Sequence, residues 1–277
     1  MFDTCLMIDW SGGNDRGANP KPDAIWVGTA RRDGTDCGPP QYFRNRSVLE
    51  RWLTAKLDAE LRAGRKTCCG FDFPFGYPAG FARALTGTDN PFAVWAYLAD
   101  RIKDAPKTNN RFDVAGTINA AFHGAGPFWG NGLTRDIAHL PRKGRKRTGD
   151  HFAEHRATET ATKGTFSCWQ LSGAGAVGSQ VLMGMPVLHR LRQRFAGRLA
   201  VWPFDTCDKP IALVEIWPSF WRAGIAASGR DHWIKDAAQV QFVAAHLAGL
   251  SSNDMATLLN ASAPEEGWIL GVPQARA

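Results

Sequence analysis

Residues 67–78, TCCGFDFPFGYP, restrict the possible folds more than any other stretch of the chain. The apolar run Cys68-Cys69-Gly70-Phe71 has the character of a buried strand, and it ends on a carboxylate, Asp72. Pro74, Gly76 and Pro78 follow at once. Proline has no N–H for a ladder and a fixed φ, so no strand continues through them. Asp72 therefore stands where a strand leaves its sheet, the place where open α/β sheets put their chemistry. Aspartates also start surface turns, so the weight of Asp72 depends on where the other acids fall.

The chain before this stretch reads as three strands and a helix. Residues 4–10, TCLMIDW, form an apolar run that carries Asp9, followed by the loop chemistry SGGNDRGANPKPD. Residues 24–30 are a second strand. Arg31-Arg32-Asp33-Gly34 predicts a turn towards a third, weaker strand near 41–44. Ser47 is the expected N-cap of a helix in which Val48, Leu49, Trp52, Leu53, Leu57 and Leu61 recur at helical spacing, with Gly64 as its stop.

From about residue 76 to 200 the pattern turns mainly helical, with helices expected over 91–102, 112–122 and 180–195. The small residues 173–178 before the last of these fit either an anion site at a helix start or close packing of that helix. Two further strands are expected at 199–204 and 211–217. Glu215 falls inside the second, where an unpaired charge is expensive. It must face a solvated cleft or be held by a metal or an arginine. An amphipathic helix through Ala237, Val240, Val243, Ala244 and Leu247 has Asp236 in its first turn, and 265–271 forms a last strand or an ordered tail.

A chain of 277 residues, 44% hydrophobic and 21% charged, fits a globular protein with one domain and a large insertion at about 76–200. No apolar run reaches the roughly 18 residues of a membrane span, and the N-terminus has no basic start, so neither a membrane anchor nor a signal peptide is expected. The six cysteines include no CxxC pair, which points to reduced thiols in a cytoplasmic protein. Net charge is +7, with Arg142, Lys143, Arg145, Lys146 and Arg147 concentrated in one run. That run is either a solvated loop or a contact for a nucleic-acid backbone.

The order β-β-β-α-β, a helical insertion, then β-α, with acids at strand ends and on the last helix, looks like the ribonuclease H-like fold. Four motifs sharpen the match: Ile8-Asp9-Trp10-Ser11, Gly70-Phe71-Asp72-Phe73-Pro74-Phe75-Gly76-Tyr77-Pro78, Val214-Glu215-Ile216-Trp217-Pro218 and Glu266-Gly267-Trp268-Ile269-Leu270. In these the chain resembles the DUF429 family, regarded as predicted ribonuclease H-like nucleases. The resemblance implies a cluster of Asp9, Asp72, Glu215 and Asp236 that binds Mg²⁺ or Mn²⁺ and hydrolyses a phosphodiester. Carboxylates forced together repel, and a hard cation relieves that. Ser11, Arg156, Glu159 and Lys163 are the expected substrate-side residues. Gln239 stands where the family's last helix usually has a second acid, and Asp231 is a candidate replacement. Two alternatives stay open: an enzyme acting on a small phosphorylated molecule or cofactor precursor, and a non-catalytic nucleic-acid-binding protein using the basic run.

Overall fold

The computed structural model describes residues 1–124, 126–144, 152–230 and 233–274. Asp231 and residues 145–147 of the basic run therefore lie outside the described residues. The first apolar run forms β1 (Thr4–Asp9), which pairs antiparallel with β2 (Ile25–Arg31). β2 in turn pairs antiparallel with the short β3 (Gln41–Phe43). Helix α1 (Arg46–Arg62) leads to β4 (Thr67–Phe71), which runs parallel to β1 on its other side. The N-cap of α1 is Asn45, not Ser47. The Asn45 backbone is still extended, and its Oδ1 accepts from the Val48 N–H at 3.0 Å and from the Ser47 hydroxyl at 2.9 Å. Gly64, at φ +68°, ends the helix as expected.

Between β4 and the next strand of the main sheet lie α2 (Phe81–Thr86), α3 (Pro91–Arg101), a hairpin of β5 (Asp104–Ala105) and β6 (Thr108–Asn109), α4 (Arg111–Asn119), α5 (Ala157–Thr160) and α6 (Gly178–Arg194). The main sheet is completed by β7 (Leu199–Val201) and β8 (Ile211–Glu215), and α7 (Arg222–Ala227), α8 (Lys235–Gly249) and α9 (Ser252–Leu258) follow. The sheet is mixed and six-stranded, in the order β3-β2-β1-β4-β8-β7, with β4, β8 and β7 parallel to β1. The architecture is α/β. β8 stops at Glu215, so that residue ends its strand instead of lying in the middle of it. The segment 265–271 adds a single bridge there, in which the Leu270 N–H donates to the Glu215 carbonyl at 2.9 Å.

Strand alternation divides the core in two. Leu6, Ile8, Cys69, Phe71 and Leu213 face one side with Val181, Leu182 and Met185 of α6. Cys5, Met7, Cys68, Val214 and Ile216 face the other with Val240, Val243 and Leu247 of α8. Cys68 and Cys69 thus point to opposite faces, and all six cysteines are free. No helix among the described residues is long and apolar enough to cross a membrane.

Helix α8 lies across β2 and β1, and it comes closest at Gly28. A Cβ there would stand 2.3 Å from the Val240 carbonyl oxygen, a backbone atom that cannot swing away. Gly28→Ala is therefore expected to cost about 2–3 kcal/mol, the upper range for overpacking. Gly249→Ala, in the last turn of the same helix with open space around it, is expected to be neutral or stabilising. Urea midpoints of the two variants check the contrast.

Candidate active site

Parallel pairing of β1 and β4 aligns Ile8 with Phe71, and the alignment continues one residue further, where the Asp72 N–H donates to the Ile8 carbonyl at 3.0 Å. Asp9 and Asp72 therefore stand abreast at the carboxyl ends of neighbouring strands. Alternation puts both on the α8 face, beyond Met7 and Gly70. Their side chains are within hydrogen-bonding reach of each other. Asp236, in the first turn of α8, faces the pair, and its Oδ2 accepts the Asp23 N–H at 2.9 Å.

The charges pressing on this pair are negative: Asp236 acts on both acids, Asp23 on Asp9 and Glu215 on Asp72. Among the described residues no ion pair joins either acid to an arginine or lysine. Burial, then Asp72 and Asp236, push the Asp9 carboxyl well above its ordinary range. Burial pushes Asp72 up to about 7, opposed by the hydrogen bond from Asp9 and reinforced by Glu215 and Asp236. Two acids this close do not readily ionise together, so the pair shares a proton near neutrality.

Glu215 does not join them. It registers with Phe71, one residue short of Asp72, so its side chain leaves the opposite face of the sheet. There it is 2% exposed and clamped by Arg156, whose Nη1 donates to Oε2 at 2.8 Å and whose Nη2 donates to Oε1 at 2.5 Å. The Phe75 N–H donates to the same Oε2 at 3.0 Å. Arg156 spends its remaining N–H groups on Glu159 and on the Glu266 carbonyl, so all five are satisfied. The expected roles of Glu215 as a metal ligand and of Arg156 as a substrate contact are corrected accordingly. Both belong, with Glu159, to a buried ion knot. This is the arginine-held arrangement, one of the outcomes that so apolar a strand allowed for its glutamate.

The other expected residues are scattered. Ser11 sits near the acids but closes its own loop, accepting the Gly13 N–H at 3.2 Å and donating to the Asp23 carbonyl at 3.4 Å. Lys163 is exposed on the loop after α5. Gln239 is half-buried one turn along α8 from Asp236. Arg142 is tied to Asp136 and to the carbonyls of Asn131, Leu133 and Thr134, and so is turned onto its own loop. The small residues at the start of α6 serve close packing. A Cβ on Gly178 would stand 2.5 Å from the Cys168 carbonyl, and Gly12 abuts the Ser179 backbone.

Two residues near the site gave no signal in the sequence. Asp23 lies in a polar loop, and only the fold brings it over Asp236. Arg111 is the first residue of α4, an otherwise ordinary helix. Its Nε donates to the Ser179 hydroxyl at 2.8 Å and its Nη1 to Asn109 Oδ1 at 2.7 Å, and among the described residues it has no carboxylate partner. Burial and the neighbouring Arg46 push it down to about 10. Arg46 itself is bound by Asp104 and by the Ser11 and Gly13 carbonyls, which ties this basic pair to the loop after Asp9.

No three or more His, Cys, Asp or Glu side chains among the described residues are arranged to hold a metal ion. The donors on offer to a cation are Asp9 and Asp72, with Asp236 beside them. Comparison with protein-family models, with curated proteins and with solved structures gives no match for the chain.

The raised acids have a definite effect on stability. The folded protein holds the Asp72 proton more tightly than the unfolded chain, where a carboxyl titrates near about 4. Its contribution is present below that value and is lost as pH rises to about 7. Asp15 and Glu60, both lowered to about 2, titrate below this window. Metal-free protein should therefore lose stability between pH 4 and 7, and Asp72→Asn should flatten that slope in a series of thermal melts. Glu215→Gln is expected to destabilise at neutral pH, because it weakens one side of a buried ion pair.

Proposed function

We propose that the chain is a metal-dependent phosphodiester hydrolase, a nuclease of the DUF429 kind on a ribonuclease H-like sheet, with Asp9 and Asp72 as its principal catalytic acids. The reading rests on one observation above the rest: two carboxylates stand abreast at the carboxyl ends of adjacent parallel strands, with further acids around them and, among the described residues, no ion pair to either. The sheet order, with β2 antiparallel between β3 and β1 and with β4 and β8 parallel to β1, is in keeping with that fold.

The residues present fit a hard divalent cation. Mg²⁺ commonly takes only one or two protein carboxylates and completes its shell with water and substrate phosphate oxygens. Asp9 and Asp72 would hold Mg²⁺ or Mn²⁺, and Asp236, kept in place by the Asp23 N–H, would add negative charge beside them. A bound ion of this class supplies charge stabilisation at the phosphoryl oxygens and a water that is easier to deprotonate. The protein's own part is positional. The β1–β4 register fixes the spacing of the two carboxylates, and Gly70 leaves room for Met7 beneath them, since a Cβ there would stand 2.5 Å from the Met7 sulfur. Arg111, which has no carboxylate partner among the described residues, places positive charge near the loop after Asp9, suited to an anionic substrate.

A site for a small phosphorylated molecule would have Arg156 and Lys163 turned towards the acids. Arg156 is spent on Glu215 and Glu159, which favours the phosphodiester reading. Arg142 is turned onto its own loop, so it would not contribute to a binding role for the basic run.

Cleavage of single-stranded oligonucleotides is expected with Mg²⁺ or Mn²⁺ and not with EDTA. Asp9→Asn and Asp72→Asn should each abolish it while leaving the fold intact by circular dichroism. Cleavage that survives either substitution would overturn the reading.

A further inference from the structure

A pocket that encloses about 40 Å³ and widens into open solvent lies beside Asp72, with Pro74 on the same wall. Its other walls are unusually apolar for a site next to carboxylates. They are built from Phe166, Val177, Ile216, Trp217 and Ile269. Phe166 is 52% exposed, one of very few large apolar side chains left in solvent among the described residues.

A glycine makes room for the Phe166 ring. Gly175, at φ +73°, lets the Phe166 ring lie directly on the backbone, because a Cβ there would stand 2.3 Å from the ring. Gly164, at φ +92°, leaves only van der Waals space against the Trp217 ring. An aromatic ring held against backbone and open on the pocket side is a stacking surface. At the pocket's polar end stand Glu159 and Glu215, fixed by Arg156. Glu215 Oε1 takes one bond from Arg156 and retains acceptor capacity for a ligand N–H.

We propose that the open mouth of this pocket receives an unpaired nucleobase of the substrate, stacked on the exposed ring of Phe166 beside Trp217, with its phosphate directed to Asp9 and Asp72. The proposal rests on the hydrolase reading above and names its substrate class. A flat ring with N–H donors matches the aromatic walls and the carboxylate end together. A base paired within a duplex could not enter, so the acceptable sources are a free nucleotide or a single strand. Base–aromatic stacking is sequence-tolerant, which agrees with the absence of a base-reading motif in the chain.

Binding to the full chain should be measured by fluorescence anisotropy and calorimetry in EDTA and again with Mg²⁺. The probes are a single-stranded pentanucleotide, the same strand with one abasic residue at each position in turn, its duplex, a nucleoside 5′-monophosphate and ribose 5-phosphate. Loss of the base at one position is expected to weaken binding about 10-fold or more. Phe166→Ala should cause the same loss and become indifferent to that abasic residue, while Phe166→Tyr restores binding. The duplex and ribose 5-phosphate should bind poorly. Monophosphate binding equal to that of the pentanucleotide would identify a nucleotide site, and preference for the pentanucleotide a strand site, both within the proposal. Phe166→Ala binding like the parent, or equal affinity for duplex and abasic strands, would overturn it. The two readings part cleanly: base-dependent binding in EDTA without any metal-dependent cleavage keeps the pocket and rejects the hydrolase, while cleavage indifferent to the base does the opposite.

Discussion

The repulsion between Asp9 and Asp72 is the constraint on which the rest of the site depends. Neither acid could be held so close to the other by its own preference. The parallel ladder of β1 and β4 places them abreast, and the packing of α8 and the loop around Asp23 closes over them. The energy that holds them there comes from the two cores on either side of the sheet, where Ile8, Phe71, Met7 and Val214 are fully buried. Protonation offsets the repulsion in the free protein; in the proposed hydrolase a divalent cation would take over that part.

The Arg156 knot is the counterpart of that deficit. On the far face of the same strand ends, two glutamates meet one arginine, and every donor of the arginine is used. The knot joins β8, α5, the Phe75 turn and the segment around Glu266, so it secures the chain at the point where it leaves the sheet. Removing Arg156 would leave two buried carboxylates unpaired, among the more damaging changes a core can suffer. Acids at one edge of one sheet thus do opposite work. Among the described residues, those on the α8 face form no ion pair with an arginine or lysine, and those on the α6 face share one arginine.

Much of the fold was legible in the sequence because apolar runs and proline stops mark strands strongly. The first four strands, the helix between them and the strand carrying Glu215 all follow from such signals. The turn of the chain after Asp72 was equally plain from Pro74 and Pro78. What the sequence could not carry was the parity of the strand ends. Asp72 follows the last registered residue of β4, whereas Glu215 is itself the last of β8, and that single step sends their side chains to opposite faces. The N-cap shifted from Ser47 to Asn45 for a similar reason, since both residues are good caps and only the backbone decides between them. Asp23, Arg111 and Phe166 were invisible because each lies in a polar or irregular stretch and acquires meaning only from a neighbour distant in the chain.

In the proposed hydrolase, Asp9 and Asp72 share a proton that a divalent cation would displace. Calorimetric titration of Mn²⁺ into metal-free protein at pH 7, repeated in buffers of different ionisation enthalpy, measures both the affinity and the protons released. Binding with release of about one proton, abolished by Asp72→Asn and unaffected by Phe166→Ala, is the predicted result. Saturable Mn²⁺ binding that survives both Asp9→Asn and Asp72→Asn, or no binding at all, would contradict it.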